Sequence, residues 1–250
     1  MAVFDVKHVG SLSPAVPREG AGPSPCSACE IRSLTICAPL NDIEQTQMAA
    51  IVSTVELQSG NPLFDEGEPA DHVFNVTAGT VKVYKLLPDG RRQVTGFLFA
   101  GDFLGLANQE TYAYSAEAVT LCNLCRFPRR KLENLMERFP RVEQRLLNIA
   151  SNELAAAQDQ MLLLGRKTAR EKIASFLILL ARRARQRGVN DNPVFVPMSR
   201  TDIGDFLGLT TETVSRTFTQ LKKSNLIRLL PDSKVELSGR EDLEEIAGGF

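Results

Sequence analysis

The residues best suited to chemistry in this 250-residue chain are its five cysteines, Cys26, Cys29, Cys37, Cys122 and Cys125. The first three form a compact group, Cys26-Ser-Ala-Cys29 followed by seven residues and Cys37; the other two stand far along the chain. An odd count with no secretory signal ahead of it argues against a disulfide framework. Clustered thiols point instead to metal or redox chemistry. Three on a loop and a fourth from a distant element supply the four thiolates of an iron–sulfur cluster. The same four suit tetrahedral zinc, and paired thiols can oxidise reversibly as a bare switch. Residue chemistry alone leaves all three open. Cys122 and Cys125 lie an odd number of residues apart, hence on opposite faces of a strand, so one can serve as a ligand while the other behaves as a small buried hydrophobe. His8 and His72, the only histidines, have no Ser or Cys arranged beside them as a nucleophile. No enzymatic activity is expected.

A second group of residues carries a different chemistry. In SRTDIGDFLGLTTETVSRTFTQLKKSNLI, Ser199 can cap a short helix with Asp202 at its third position. Gly208 can end that helix in the left-handed conformation, Leu209 turns back to the core, and Thr210 caps the next helix. This is a helix-turn-helix, spanning Ser199 to Ser224. On its second helix Thr211, Val214, Phe218 and Leu221 are expected to be buried. Glu212, Ser215, Arg216 and Thr219 fall on the opposite face. Glu accepts from cytosine N4, Arg donates twice to guanine, and Ser does either. Lys222 and Lys223 suit phosphate contacts that position without specifying. RLLPDSKVEL, after Ile227, reads as a two-strand wing.

These groups need elements to hold them. Residues 1–25 are rich in Pro, Gly and Ser and are expected to lack fixed structure. Residues 41–52 read as a short helix capped by Asn41 with Glu44 in the reciprocal position. From Glu56 to Phe127, short apolar alternations (Val73, Val81, Val83, Val94, Phe97, Phe99) are broken by Gly67, Gly79, Gly90, Gly96, Gly101 and Gly105. That spacing predicts a small antiparallel barrel or roll, with Pro88-Asp89-Gly90 at a hairpin tip. Helix resumes near Arg129. Leu147, Ala150, Leu154, Ala157, Met161 and Leu164 then recur in steps of three and four, a coiled-coil seam of about five turns. Packing of this helix along its own barrel would give the same pattern; a two-fold dimer is the more economical reading. Thr168 to Arg187 predicts a further amphipathic helix facing Ile173, Phe176, Leu177, Leu180 and Ala184 inward. The expected organisation is a 1–25 extension, a 26–140 cysteine loop and sensor roll, a 141–166 dimerisation helix, and a 167–250 DNA-binding domain.

Charge agrees with a DNA partner at one end of the chain. From Arg166 to Arg228 thirteen Lys/Arg face five Asp/Glu, an excess of +8 that leaves −9 elsewhere in a chain of net charge −1. No apolar run approaches the ~18 residues of a membrane span, and the N-terminus lacks the pattern of a signal peptide. A cytoplasmic protein is expected.

From residue 40 to the C-terminus, about four fifths of the chain, the sequence resembles the CRP/FNR superfamily of bacterial regulators. The resemblance rests on LFDEGEPADHVFNVTAGTVKVYKLLPDGRRQVTGF, AGDFLG and DIGDFLGLTTETVSR. It implies an α+β fold: a double-stranded β-roll of the cyclic-nucleotide-binding type, a long dimerisation helix and a C-terminal winged helix-turn-helix. It further implies a homodimer on a palindrome, with Glu212, Ser215 and Arg216 reading a TTGAT-like half-site. Loops such as Leu86 to Gly96 would touch RNA polymerase. Cyclic-nucleotide-binding members carry an Arg-Ser pair and a ribose-binding Glu, whereas here no arginine precedes Ser115 and Leu106 and Ala107 are neutral. No cyclic nucleotide is therefore expected; a nucleotide-controlled module of an enzyme or channel is the competing class that this disfavours. The cysteines are similar to those of the FNR branch, which implies an oxygen-labile 4Fe–4S cluster. There the fourth ligand precedes a short apolar-Pro sequence, here Cys125-Arg-Phe-Pro128, giving the set Cys26, Cys29, Cys37 and Cys125. Enterobacterial members have five residues between the second and third ligands; the seven here are similar to rhizobial FnrN-like members. Ala157 stands where a seam carboxylate would penalise association, so the dimer is expected to depend less strictly on the cluster.

Overall fold

A computed structural model of the chain describes residues 26, 29–106 and 110–248. The expected loose extension over residues 1–25 lies outside them. A 3-10 turn at Arg32–Leu34 leads into α1 (Asp42–Ala49). Asn41 Oδ1 accepts from the Glu44 N–H, and the Glu44 carboxylate accepts from the Asn41 N–H, both at 2.9 Å. Such a reciprocal cap contributes ~1 kcal/mol.

The roll is built from β1 (Ser53–Leu57), β2 (Pro62–Phe64), β3 (His72–Ala78), β4 (Thr80–Leu86), β5 (Arg92–Phe99), β6 (Phe103–Leu104), β7 (Ser115–Ala118) and β8 (Cys122–Pro128). Among the described residues these pair into two four-stranded antiparallel sheets, ordered β1-β8-β3-β6 and β2-β7-β4-β5. Gly90, at φ 84°, closes the β4–β5 hairpin, where only a residue tolerant of positive φ fits without strain. Alternation sorts β3 and β8 by face. Phe74, Val76, Cys122 and Leu124 turn into the roll, while Val73, Cys125 and Phe127 turn outward onto the N-terminal segment. Phe64 and Tyr112 stack at 3.7 Å between centroids and, with Phe74, fill the interior.

Two helices follow, α2 (Arg129–Arg138) and α3 (Pro140–Arg166), the second opened by a proline at its first position. The contacts of α3 change along its length. Val142, Leu146 and Ile149 pack on Ile36, Leu40, Met48 and Phe139, closing a small core over the outer face of the roll. Residues 150–159 are exposed throughout, and Leu163 is buried again, now in the C-terminal core.

That core gathers α4 (Ala169–Gln186), β9 (Val194–Phe195), α5 (Arg200–Leu207), α6 (Thr211–Lys223), β10 (Arg228–Leu230), β11 (Lys234–Glu236) and α7 (Arg240–Ile246). Ile173, Phe176, Leu177, Leu180 and Ala184 of α4 are all buried, as the amphipathic pattern requires. The wing gains β9 as a third strand, in the order β10-β11-β9. Tyr84, Val94, Phe97 and Phe99 of the roll belong to the same apolar cluster, so the roll and the C-terminal domain share one core. Phe97 meets Phe176 and Phe206 edge-on or tilted, at 6.2 and 5.3 Å. Among the described residues no helix is long and apolar enough to cross a membrane.

Candidate functional site

The outward face of β3 and β8 meets the N-terminal segment at a cavity of about 20 Å³. Cys26, Cys29, Cys37 and Cys125 line it together, with Arg32, Thr35, Gln45, Asn75 and Thr77. The four cysteines selected from the sequence are thus brought to one place, from opposite ends of the sensor region. Cys122 is not among them. It is fully buried inside the roll, its thiol 3.2 Å from the Thr80 carbonyl oxygen. Gly79 lies over it so closely that a Cβ there would come within 2.7 Å of the Cys122 sulfur.

Burial pushes the Cys37 thiol up to about 11; the neighbouring sulfurs of Cys26 and Cys29 add to this, against a lowering hydrogen bond from Thr35. Burial likewise pushes Cys125 up to about 12, with the other three cysteines adding to it. Both are neutral thiols near pH 7 until a bound cation displaces their protons. The donor set, four sulfurs with no carboxylate lining the cavity, is the soft set chosen by iron–sulfur clusters and zinc. Among the described residues no three His, Cys, Asp or Glu are grouped as closely as a single ion requires. The cavity has room for about one water, so a larger group is accommodated only if the Cys26–Cys37 segment stands further from the roll.

That segment is tied to the rest of the chain by a few polar links. Arg32 donates to Gln45 Oε1 at 2.7 Å and to the Leu40 carbonyl; Gln45 donates to the Cys26 carbonyl. Arg145 on α3 donates to the Leu34 carbonyl at 3.1 Å, and Arg141 on α3 pairs with Glu44 of the α1 cap at 3.1 Å. The cysteine segment therefore bears directly on the first turns of α3. Further along α3, Leu147, Leu154 and Met161 are 65%, 62% and 71% exposed, and Ala150 and Ala157 are exposed with them. Leu164, the last seam position, is half-buried against α5, within 3.5 Å of where a Cβ on Gly208 would stand.

At the other end, Ser199 and Asp202 form the expected reciprocal cap of α5, and Gly208 ends the helix at φ 62°, ψ 44°. Thr210 accepts from the Thr213 N–H at 3.2 Å and caps α6. Glu212, Ser215, Arg216, Thr219, Lys222 and Lys223 are all exposed on α6. Val214, Phe218 and Leu221 are buried as expected, but Thr211 is not. As the first helical residue it lies at the rim, its hydroxyl 3.3 Å from that of Thr201. Thr217 completes the buried stripe instead, satisfying its hydroxyl on the Thr213 carbonyl at 2.8 Å; this back-bonding lets a polar residue occupy a core position. Thr219 makes the same bond to Ser215.

The reading helices are held from behind by charge. Lys82 on β4 lies 2.9 Å from Asp202 and 2.7 Å from Glu117, and Arg92 on β5 bridges Asp202 and Asp205, each at 2.9 Å. Gln93 donates to the Asp205 carbonyl at 2.6 Å. Neither Lys82 nor Arg92 stood out in the sequence, because a basic residue on a strand reads as solvated surface until its partner is known.

Two family profiles cover the chain: a cyclic nucleotide-binding domain over residues 54–139 and a Crp-like helix-turn-helix domain over residues 171–246. The chain is 44% identical over 205 residues to the transcriptional activatory protein AadR of Rhodopseudomonas palustris, covering 82% of this chain and 85% of that one. It belongs to the Crp/Fnr family. To the transcriptional activator protein FnrL of Cereibacter sphaeroides it is 39% identical, covering 89% of this chain and 92% of that protein. The solved structure of FixK2 from Bradyrhizobium japonicum matches with a TM-score of 0.73 at 36% identity, over 78% of this chain and 97% of that one. A Crp/Fnr protein is a DNA-binding transcription regulator and not an enzyme, and members are typically dimeric. The roll, long helix and winged helix-turn-helix expected from the sequence are the architecture of this family.

Proposed function

We propose that this chain is an oxygen-responsive transcription activator of anaerobic or microaerobic genes, with Cys26, Cys29, Cys37 and Cys125 as ligands of a 4Fe–4S cluster. The observation that carries the reading is the convergence of those four cysteines, and not Cys122, on one cavity beside α3. The names of relatives such as the activators AadR and FnrL favour activation. When bound, the cluster supplies the oxygen-labile chemistry. The rest is the work of this chain's residues. Arg145 couples the cysteine segment to the base of α3, and Arg141 couples α1 to it; the seam of exposed Leu147, Ala150, Leu154, Ala157 and Met161 with half-buried Leu164 pairs with a second copy. Two α6 helices then enter successive major grooves about 34–36 Å apart. Glu212, Ser215, Arg216 and Thr219 read each TTGAT-like half-site, and Lys222 holds phosphate. Loosening the cysteine segment weakens the pair, and one half-site alone binds far more weakly than two. The exposed Leu86 and Leu87 at the β4–β5 turn are available to RNA polymerase. Such a protein works on DNA in the cytoplasm, with no cyclic nucleotide.

The test is an absorption spectrum with iron and acid-labile sulfide counts on protein purified without air, repeated after air is admitted. About four irons and four sulfides per chain are expected, with bleaching in air and a fall in palindrome affinity. A preparation with neither iron nor sulfide overturns the cluster reading; one zinc per chain would replace it.

A further inference from the structure

Asn75 is a buried residue that the DNA-reading and dimerisation arguments do not use. It is 2% exposed, and among the described residues its Oδ1 has no hydrogen-bond partner. A buried amide oxygen left unpaired is uncommon and costs stability, so this side chain, in this orientation or with oxygen and nitrogen exchanged, calls for a partner beyond the described residues. Its position says where that partner would be. Asn75 lines the cysteine cavity and lies directly opposite Cys125 in the β3–β8 register. Residues opposed in an antiparallel pair project from the same face with Cβ atoms roughly 4.5–5.5 Å apart. The neighbouring Thr77 also lines the cavity, but its hydroxyl is spent on the Asn123 carbonyl at 2.8 Å.

We infer that Asn75 is a positioning residue for the group held by the four cysteines, donating its side-chain amide N–H to a ligand or bridging sulfur. The inference rests on the cluster reading. Metal-bound thiolate and sulfide accept hydrogen bonds and have no proton to give. A half-turn about Cβ–Cγ exchanges the amide oxygen for the NH₂ in nearly the same volume, which brings a donor to the orphaned position. Hydrogen bonds to cluster sulfurs stabilise the more negatively charged state and so raise the potential. Without that bond the cluster is more easily oxidised.

The experiment uses the full-length chain and Asn75→Leu, close in shape but without the amide, compared in two states. With metal and sulfide removed, the variant melts at a higher temperature than the wild type, because an unsatisfied polar group has been replaced by an apolar one. Loaded with equal ferric and ferrous iron and with sulfide under nitrogen, the variant loses its cluster in air about fivefold faster, the factor that one net hydrogen bond is worth. Its midpoint potential is lower than that of the wild type. Asn75→Gln, which keeps the amide, moves part of the way back. A residue that only filled space would shift both states in the same direction and leave the potential unmoved, which overturns the inference. If the wild type itself takes up no iron and sulfide, the cluster reading fails first, and this inference with it.

Discussion

Lys82 Nζ and Asp202 Oδ1 lie 2.9 Å apart across the junction between the β-roll and the first helix of the helix-turn-helix, with both side chains at most 10% exposed. Asp202 has two tasks, because the same carboxylate also accepts from the Ser199 N–H in the α5 cap. Removing the Asp202 charge still leaves Lys82 paired with Glu117 at 2.7 Å and Arg92 with Asp205 at 2.9 Å, so the cost falls below the about 3–5 kcal/mol of a buried charge left wholly unpaired. Asp202→Asn should lower stability in urea unfolding by about 1–3 kcal/mol while leaving the β-roll intact by near-ultraviolet dichroism. Lys82→Met and Asp202→Asn, made singly and together, measure the coupling: the double variant should lose less stability than the two single losses added. A double variant as unstable as the sum of the two single ones would show that the pair is not coupled.

The same carboxylate sets a response to acid. Burial alone would raise the Asp202 carboxyl, but the Ser199 hydroxyl, Lys82 and Arg92 outweigh it and hold it below the usual carboxylate range. A group depressed in the folded state contributes stability above its unfolded value, roughly 3.9 for Asp. That contribution is lost as pH falls through the folded value. The stability gap between wild type and Asp202→Asn should therefore be flat above about pH 5 and shrink below about pH 4. A gap that stays constant down to about pH 3 would remove Asp202 from the acid response.

The two distal cysteines should separate cleanly on substitution. Cys125→Ser leaves three thiols on the cavity, so iron and sulfide uptake under nitrogen should fall to a small fraction of the wild-type value. Cys122→Ser should keep full uptake but lower the melting temperature, because a hydroxyl replaces a buried thiol under Gly79. Loss of cluster from the Cys122 variant and not the Cys125 variant would reverse the ligand assignment.

Much of this was legible in the sequence, and what was missed has physical reasons. The caps at Asn41, Ser199 and Thr210 and the left-handed Gly208 are local chemistry, and all are present. The inward faces of α4 and α6 follow from periodicity, apart from Thr211, where a helix-end position escapes burial. β9, with two residues, and α7, with seven, are too short for any period to register. The shared core of Phe97, Phe176 and Phe206 and the Lys82–Asp202 pair are long-range pairings, which no window of sequence contains. Asn75 is the clearest case: among strand residues it reads as ordinary, and only the register opposite Cys125 gives it a meaning.

The seam on α3 gives a prediction about assembly that is separable from folding. Leu154 is 62% exposed, so Leu154→Asp should leave the melting temperature of the single chain nearly unchanged. In a dimer the same carboxylate would be buried against its symmetry mate without a counter-charge. Association should weaken by at least about a hundredfold, seen as a shift to the monomer in sedimentation and a parallel loss of palindrome affinity. An unchanged dimer would place the interface elsewhere on the surface.

Reading and positioning on α6 should come apart in a salt titration. Arg216 is exposed on the face opposite Val214 and Phe218, where a guanidinium can donate twice to one guanine. Arg216→Ala should cost about 1–3 kcal/mol on the matched half-site and relax the preference at one base pair, leaving binding to scrambled duplex nearly unchanged. Lys222 lies near the C-terminal end of α6 and is likewise exposed. If it contacts phosphate, Lys222→Ala weakens binding to matched and scrambled duplex by the same factor. It also reduces the slope of log affinity against log salt by about one per chain. The two variants make opposite claims about specificity, so each controls for the other. A Lys222 variant that changes base preference, or an Arg216 variant that lowers all binding uniformly, would mean that α6 sits in the groove at a different angle from the one its exposed face implies.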